Sequence, residues 1–180
     1  MELPTEKIEY EPFFEYRNTD WRSGWMPLYS IAHKLNGTFQ SYTHEQGGNI
    51  PYLGDSSSHT LSTVFCSADK YFESHPEYFA FHGGERVPGQ LCLTNENVYE
   101  IILDEVLDIL ETEYSSEAAL QIVSLSQADN LDYCECENCK ALDNANRSHA
   151  GSLITFVNRI AAAVKERGYN NVAFDTLAYT

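Results

Sequence analysis

Two segments constrain this chain more than any others: ENVYEIILDEVLDILETE (96–113) and GSLITFVNRIAAAVKERG (151–168), each flanked by short apolar runs. In the first, Val98, Ile102, Val106 and Leu110 recur at helical spacing, broadened by Leu103 and Leu107. Glu100, Asp104, Asp108 and Glu111 lie toward the other side. Such a stripe needs another layer to cover it. Thr94 or Asn95 is placed to cap this helix by accepting a free N–H. In the second segment, Leu153, Val157, Ile160 and Val164 form the inward face. Lys165 and Arg167 suit the negative C-terminal end, and Gly168 suits the left-handed closing residue. QLCLT (90–94), ALQIVSLSQ (119–127) and NVAFDTLAY (171–179) read as strands. Residues 90–180 therefore read β-α-β-α-β, which predicts a parallel sheet with right-handed crossovers.

The first half is less regular. FFEYRN (13–18) reads as a short aromatic strand, and GWMPLYSIAHKLNG (24–37) as a short helix stopped at Asn36 and Gly37. Residues 38–58 read as a long loop, and HTLSTVF (59–65) as β-like. DKYFESHPEYFA (69–80) reads as a helical turn closed near His75 and Pro76, because a residue before proline avoids the α region. GGERVPG (83–89) reads as a turn-rich connection.

A closed (β/α)8 barrel takes ~250 residues. A chain of 180 residues has material for four or five βα units. The expectation is an α/β fold of the (β/α)8 TIM-barrel type, truncated after about the first five units. Residues 1–12 would be a polar lead-in and 13–180 the N-terminal portion of the barrel. The rival is a complete open sheet that ends in an edge strand.

Charge narrows the partners. Asp plus Glu number 27 against 11 Lys plus Arg, a formal net charge of -16. A surface this acidic repels phosphate backbones and anionic lipid heads, so neither nucleic acid nor an anionic membrane is expected as a partner. No apolar run approaches the ~20 residues of a bilayer span, and no membrane insertion is expected. The N-terminus has no basic n-region or apolar h-region, so no signal peptide is expected there. The dense Tyr and Trp content suits core packing, or stacking on sugar rings from loops.

Three of the five cysteines fall within six residues, in YCECENC. Cys134, Cys136 and Cys139 have CxCxxC spacing. Thiolates this close can share one soft cation, and Zn2+ prefers a tetrahedron of four ligands. Cys92, in the preceding expected strand, is a candidate fourth ligand, with His149 and Asp143 as substitutes. Structural zinc, reduced thiols and a local disulfide all fit the spacing. A catalytic metal does not, because four thiolates leave no open position.

A second signal is SLSQADN (124–130), at the C-terminal end of an apolar strand. In βα barrels the catalytic residues sit at such ends. Gln127, Asp129 and Asn130 are polar candidates there, and Asp129 can act as general acid, base or nucleophile. The alternative is a helix cap or Asx turn. Arg17 ends the first expected strand and suits a carboxylate or sugar hydroxyls. His59 opens a strand-like run, and Asp175 and Tyr179 lie in or at the end of the last strand. Glycoside hydrolysis usually needs two carboxyl groups. Only Asp129 stands out, with Glu45 and Asp55 as weaker seconds. No GxGxxG, Walker A, HExxH or GxSxG motif is present, which disfavours nucleotide-dependent, zincin and serine-hydrolase chemistry.

The series FFEYRN, HTLSTV, KYFESHPEYFA, QLCLTNENV, IVSLSQADN, YCECENCKALD, GSLITFVNRIA and FDTLAYT resembles an uncharacterised bacterial domain-of-unknown-function family that is itself similar to α-glucuronidase-like and other glycoside-hydrolase-like TIM-barrel proteins. The resemblance runs in order from about residue 13 to 180. It implies a glycosidase-type barrel and carbohydrate as partner, along with the remainder of the barrel or parent protein. It also implies an extracytoplasmic, periplasmic or secreted setting. Arg17, His59, Gln127, Asp129 and Tyr179 transfer as pocket residues, and Cys92, Cys134, Cys136 and Cys139 as a metal or structural cluster. One departure is Ala128, where the family tends to carry Asn. The implied function is hydrolysis of glycosidic bonds, including those of uronic acids, with Asp129 catalytic and no cofactor beyond structural zinc. The alternatives are a non-catalytic glycan-binding module and a zinc-stabilised structural or interaction domain.

Overall fold

In a computed structural model, residues 9, 11–19, 21–37, 42–54 and 56–177 are described. The chain forms two compact units, Met1–Ile50 and Pro51–Thr180.

In the first unit, a 3-10 turn (Arg22–Trp25) leads into helix α1 (Pro27–Ala32), with Pro27 in the first turn where its missing N–H costs nothing. Residues 13–18 are irregular rather than a strand. Asn36 explains this: its backbone N–H donates to Arg17 O (2.9 Å), and its side chain accepts from Arg17 N (2.7 Å) and donates to Glu15 O (2.7 Å). The buried amide replaces a strand ladder with side-chain bonds. Asn36 and Gly37 thus clasp residues 15–18 rather than merely ending a helix. A Cβ on Gly37 would come within 2.4 Å of the Asn18 side chain.

Near the start of the second unit, Tyr52 makes a single parallel bridge to Ile122. A π-helical turn, Leu61–Phe65, occupies the run expected to be β-like. Tertiary bonds override its β-branched residues: Leu61 N donates to Ser126 O (3.0 Å), and Thr60 Oγ1 donates to Ser124 O (2.7 Å) and accepts from Ser126 N (3.0 Å). Helix α2 (Ala68–Tyr71) and a 3-10 turn (Pro76–Tyr78) follow. Next comes an antiparallel hairpin of β1 (Phe79–His82) and β2 (Glu85–Leu91). Its two-residue link is Gly83 and Gly84, both at positive φ (60° and 95°), as a hairpin of matching twist requires.

Helix α3 (Glu96–Glu113) keeps its expected bounds and cap: Asn95 Oδ1 accepts from Asn97 N (2.9 Å) and Val98 N (3.4 Å). Strand β3 (Gln121–Ser124), helices α4 (Glu137–Asn146) and α5 (Ala150–Glu166), and strand β4 (Val172–Asp175) complete the order. β3 and β4 pair in parallel, Gln121 opposite Val172 and Ser124 opposite Asp175. One face each of α3 and α5 meets β3 in the main core. Val98, Ile102, Val106 and Leu110 are buried there with Phe156, Ile160, Val123 and Leu125.

The expected truncated (β/α)8 barrel is not formed among the described residues. Among the described residues there are two sheets of two strands each, one antiparallel and one parallel. The physical reason lies in two places. The Gly83-Gly84 turn folds β2 back on β1, and a two-residue link permits only antiparallel pairing. Both edges of β3 are also taken. Ile122 exchanges hydrogen bonds with Pro51 and Leu53 on one side, while Gln121 and Leu125 donate to Asn171 and Asp175 on the other. The run 90–94 therefore ends a hairpin strand at Leu91 instead of joining a parallel sheet. Two helices, not one, separate β3 from β4; α4 falls in the cysteine segment, where no helix was expected.

Candidate metal centre

The hairpin delivers the first thiol. Cys92 follows the last residue of β2; its N–H donates to Tyr78 O (2.8 Å), and its carbonyl accepts from Asn95 N (2.9 Å) in a tight turn. The segment before α4 delivers the others. Glu135 N donates to Phe81 O (2.6 Å), laying residues 134 and 135 along β1, and Phe81 N donates to Cys134 Sγ (3.3 Å). Cys136 caps α4, its sulfur accepting from Cys139 N (3.5 Å). Cys139 sits in the first turn of α4, fully buried.

All four sulfurs lie within 4.8 Å of one another. None is in a disulfide. Cys92 Sγ and Cys136 Sγ are 3.7 Å apart. A Zn–S bond of about 2.3 Å gives a tetrahedral edge of about 3.8 Å, so this separation matches tetrahedral thiolate coordination. The donor set is soft and can hold a metal ion. His149 and Asp143 are not part of the cluster. They pair with each other at 3.5 Å, and His149 stacks on Tyr133 at 3.7 Å.

The surroundings are arranged for thiolate charge. Two backbone N–H groups reach sulfur, the N-terminus of α4 adds positive dipole, and Thr94 Oγ1 lies 3.2 Å from Cys139 Sγ. Hydrogen bonds among Cys92, Cys134 and Cys139 tie their protons together. Cys92 is held far below the usual thiol range by hydrogen bonds from Cys134 and Cys139, helped by Thr94 and Arg86 against the cost of burial. Cys139 is held far above it because it donates to Cys134 and Cys92 and is buried. Cys134 is lowered by Cys139, but its donation to Cys92 and its burial outweigh that and push it up to about 11.

The other expected site residues fall in both units. Arg17 lies in the first unit, where Nε donates to Lys34 O (2.6 Å) and Nη1 to Glu15 O (2.9 Å). His59, at φ 57°, donates from Nδ1 to Gln127 O (2.9 Å), so His59 and buried Gln127 meet through the backbone. Asp129 is exposed on the loop after β3. Asp175 ends β4 and accepts from Tyr52 OH; its other oxygen is buried without a hydrogen-bond partner. Glu45 is exposed in the first unit. Asp55 and Tyr179 lie outside the described residues. Sequence reasoning missed Arg86 and Thr94. The Gly-Gly hairpin signal would have found them, because it brings the end of β2 to the cysteine loop.

The model for the family Domain of unknown function (DUF4838) matches residues 1–180, and the chain belongs to that family. No curated protein and no solved structure matches the chain.

Proposed function

We propose that the four-cysteine cluster holds one structural Zn2+ ion and that the second unit is a zinc-stabilised structural domain. The observation that carries this reading is the convergence of four unpaired sulfurs within 4.8 Å from two separate segments. Cys92, Cys134, Cys136 and Cys139 would supply four thiolates and close the coordination sphere. The ion would then act as a cross-link between hairpin and α4 rather than as a Lewis acid. The net charge of -16 favours cation uptake at the surface. Metal analysis after purification under reducing conditions tests this. About one equivalent of zinc is expected, and less than about a tenth of an equivalent would remove the reading.

A second reading concerns carbohydrate. Asp175 at the end of β4 carries a buried oxygen with no hydrogen-bond partner, and Gln127 and Asp129 follow β3, its parallel neighbour. A glycan held at that end, cleaved with Asp129 as acid or simply bound, fits this polar group. A hydrolysis and binding screen with uronide and neutral glycosides checks it, run beside Asp129→Asn and Asp175→Asn. Turnover that collapses in either variant supports cleavage, and binding without turnover supports a glycan-binding role. Neither activity would end the reading.

A further inference from the structure

The four cysteines are not equally accessible. Cys92, Cys134 and Cys139 are 5%, 6% and 0% exposed, whereas Cys136 is half-buried at the start of α4. An open cavity of about 350 Å³ lies beside the cluster, lined by Arg86, Cys92, Thr94, Cys136 and Glu137 among others. Two of the four cysteines line it; Cys134 and Cys139 do not. The two that do are the pair whose sulfurs are 3.7 Å apart. Susceptibility to oxidation follows thiolate character and access, and a resolving thiol beside the attacked one favours a disulfide over further oxidation.

We propose that Cys136 is a modification site for peroxide-class oxidants, with Cys92 as its resolving thiol. The inference rests on the zinc reading for its consequence, release of the metal. In the first step the Cys136 thiolate attacks a peroxide oxygen. An S–O bond forms, the O–O bond breaks and hydroxide leaves, so sulfur is oxidised by two electrons and the peroxide is reduced. In the second step the Cys92 thiolate attacks Cys136 sulfur. The S–S bond forms, the S–O bond breaks and a second hydroxide leaves; each hydroxide takes a proton from solvent. Two thiolates remain, too few to retain the ion in a closed tetrahedral site, and it departs. The product disulfide joins the end of β2 to the start of α4, the same two segments that the metal joined. Oxidation thus exchanges one cross-link for another. Cys66, fully buried in the aliphatic core, serves as the internal control that stays reduced.

The test uses the intact metal-loaded chain. Hydrogen peroxide is added in steps, released zinc is read with a chromogenic chelator, and disulfides are mapped by peptide mass. Zinc release in step with a Cys92–Cys136 disulfide is expected. In Cys92→Ser a dimedone adduct should appear on Cys136. Because that variant can lose metal or fold, the native chain is also alkylated with iodoacetamide, and Cys136 should react at least about tenfold faster than the other three. A first disulfide between Cys134 and Cys139, or faster alkylation at either, overturns the inference. Bound zinc with the wrong thiol reacting first refutes this inference alone. Absence of metal with Cys136 still first refutes the zinc reading and leaves the site of attack standing.

Discussion

The second unit contains two buried clusters that cohere for different reasons. The larger one gathers aliphatic and aromatic side chains from α3, α5, β3, the segment 53–66 and the hairpin's open end, including Phe79, Leu91, Ile102, Leu110, Phe156 and Ile160. Each large side chain there contributes by removing apolar area from water, at roughly 25 cal/mol per Å². The smaller one contains Ala80, Cys92, Cys134 and Cys139, with Phe81, Val87 and Cys136 packed against it. A methyl group and three thiols bury little area, and most of β2 faces solvent or is half-buried. An isolated hairpin is marginal in water. The first cluster can hold itself together by burial, whereas the second needs a bond that spans its parts.

The largest effect should come from removing that bond. Structural zinc sites contribute of order 10 kcal/mol of binding free energy near neutral pH. Chelation, or Cys139→Ser, should therefore abolish amide protection across residues 80–87 while the central turns of α3 and α5 retain theirs in hydrogen exchange. A hairpin that stays protected after complete metal removal would break the contrast between the clusters.

The aliphatic core should respond in the opposite way. Phe156→Ala removes a ring 1% exposed and should cost about 3–5 kcal/mol in denaturant unfolding. Zinc stoichiometry in the folded variant should stay unchanged. Loss of metal along with the lost stability would mean that the two clusters are one cooperative unit.

Sulfur itself sharpens the comparison, because it behaves differently in the two settings. In the aliphatic core, burial pushes the Cys66 thiol from 9.0 up to about 11, with Lys70 offsetting part of the rise. The folded state thus favours the neutral thiol. That stability is fully present below about pH 9 and is lost as pH rises through about 11. A difference of two pKa units corresponds to about 2–3 kcal/mol. Denaturant midpoints should fall between about pH 8 and pH 11, and Cys66→Ala should flatten the fall. An unchanged slope in that variant would place the alkaline sensitivity elsewhere.

The smallest effect is local to α3. Asn95→Ala removes the acceptor for two free N–H groups and should cost about 1 kcal/mol, whereas Asn95→Asp should retain the cap. Equal losses in both variants would show that the Asn95 Nδ2 bond to Glu77 O matters more than the cap.

Legibility followed the range of the forces. α3 and α5 were readable because helix periodicity and capping act within a few residues, and Val98, Ile102, Val106, Leu153 and Ile160 repeat at that spacing. α4 was hidden because its short polar sequence buries only Cys139 and Asp143, so no stripe announces it. The run 59–65 was misread because its conformation is set by bonds to Ser124 and Ser126, some sixty residues away. Cys134, Cys136 and Cys139 were legible as a set, since soft donors at close spacing can share a cation whatever the fold, whereas Cys92 was one candidate for the fourth place beside His149 and Asp143. The expected sugar-pocket residues Arg17, Gln127 and Asp129 depend instead on tertiary contacts, which no local spacing records.

The sequence by itself determined the two long helices, a cap at residue 94 or 95, the net acidity and the three closely spaced sulfur donors. These follow from residue chemistry and spacing along one stretch of chain. Only the tertiary structure decided that β2 turns back on β1, that both edges of β3 are filled, and that Cys92 meets the CxCxxC loop. Strand partners and metal donors are chosen by which distant groups are left unpaired, and no local pattern records that choice.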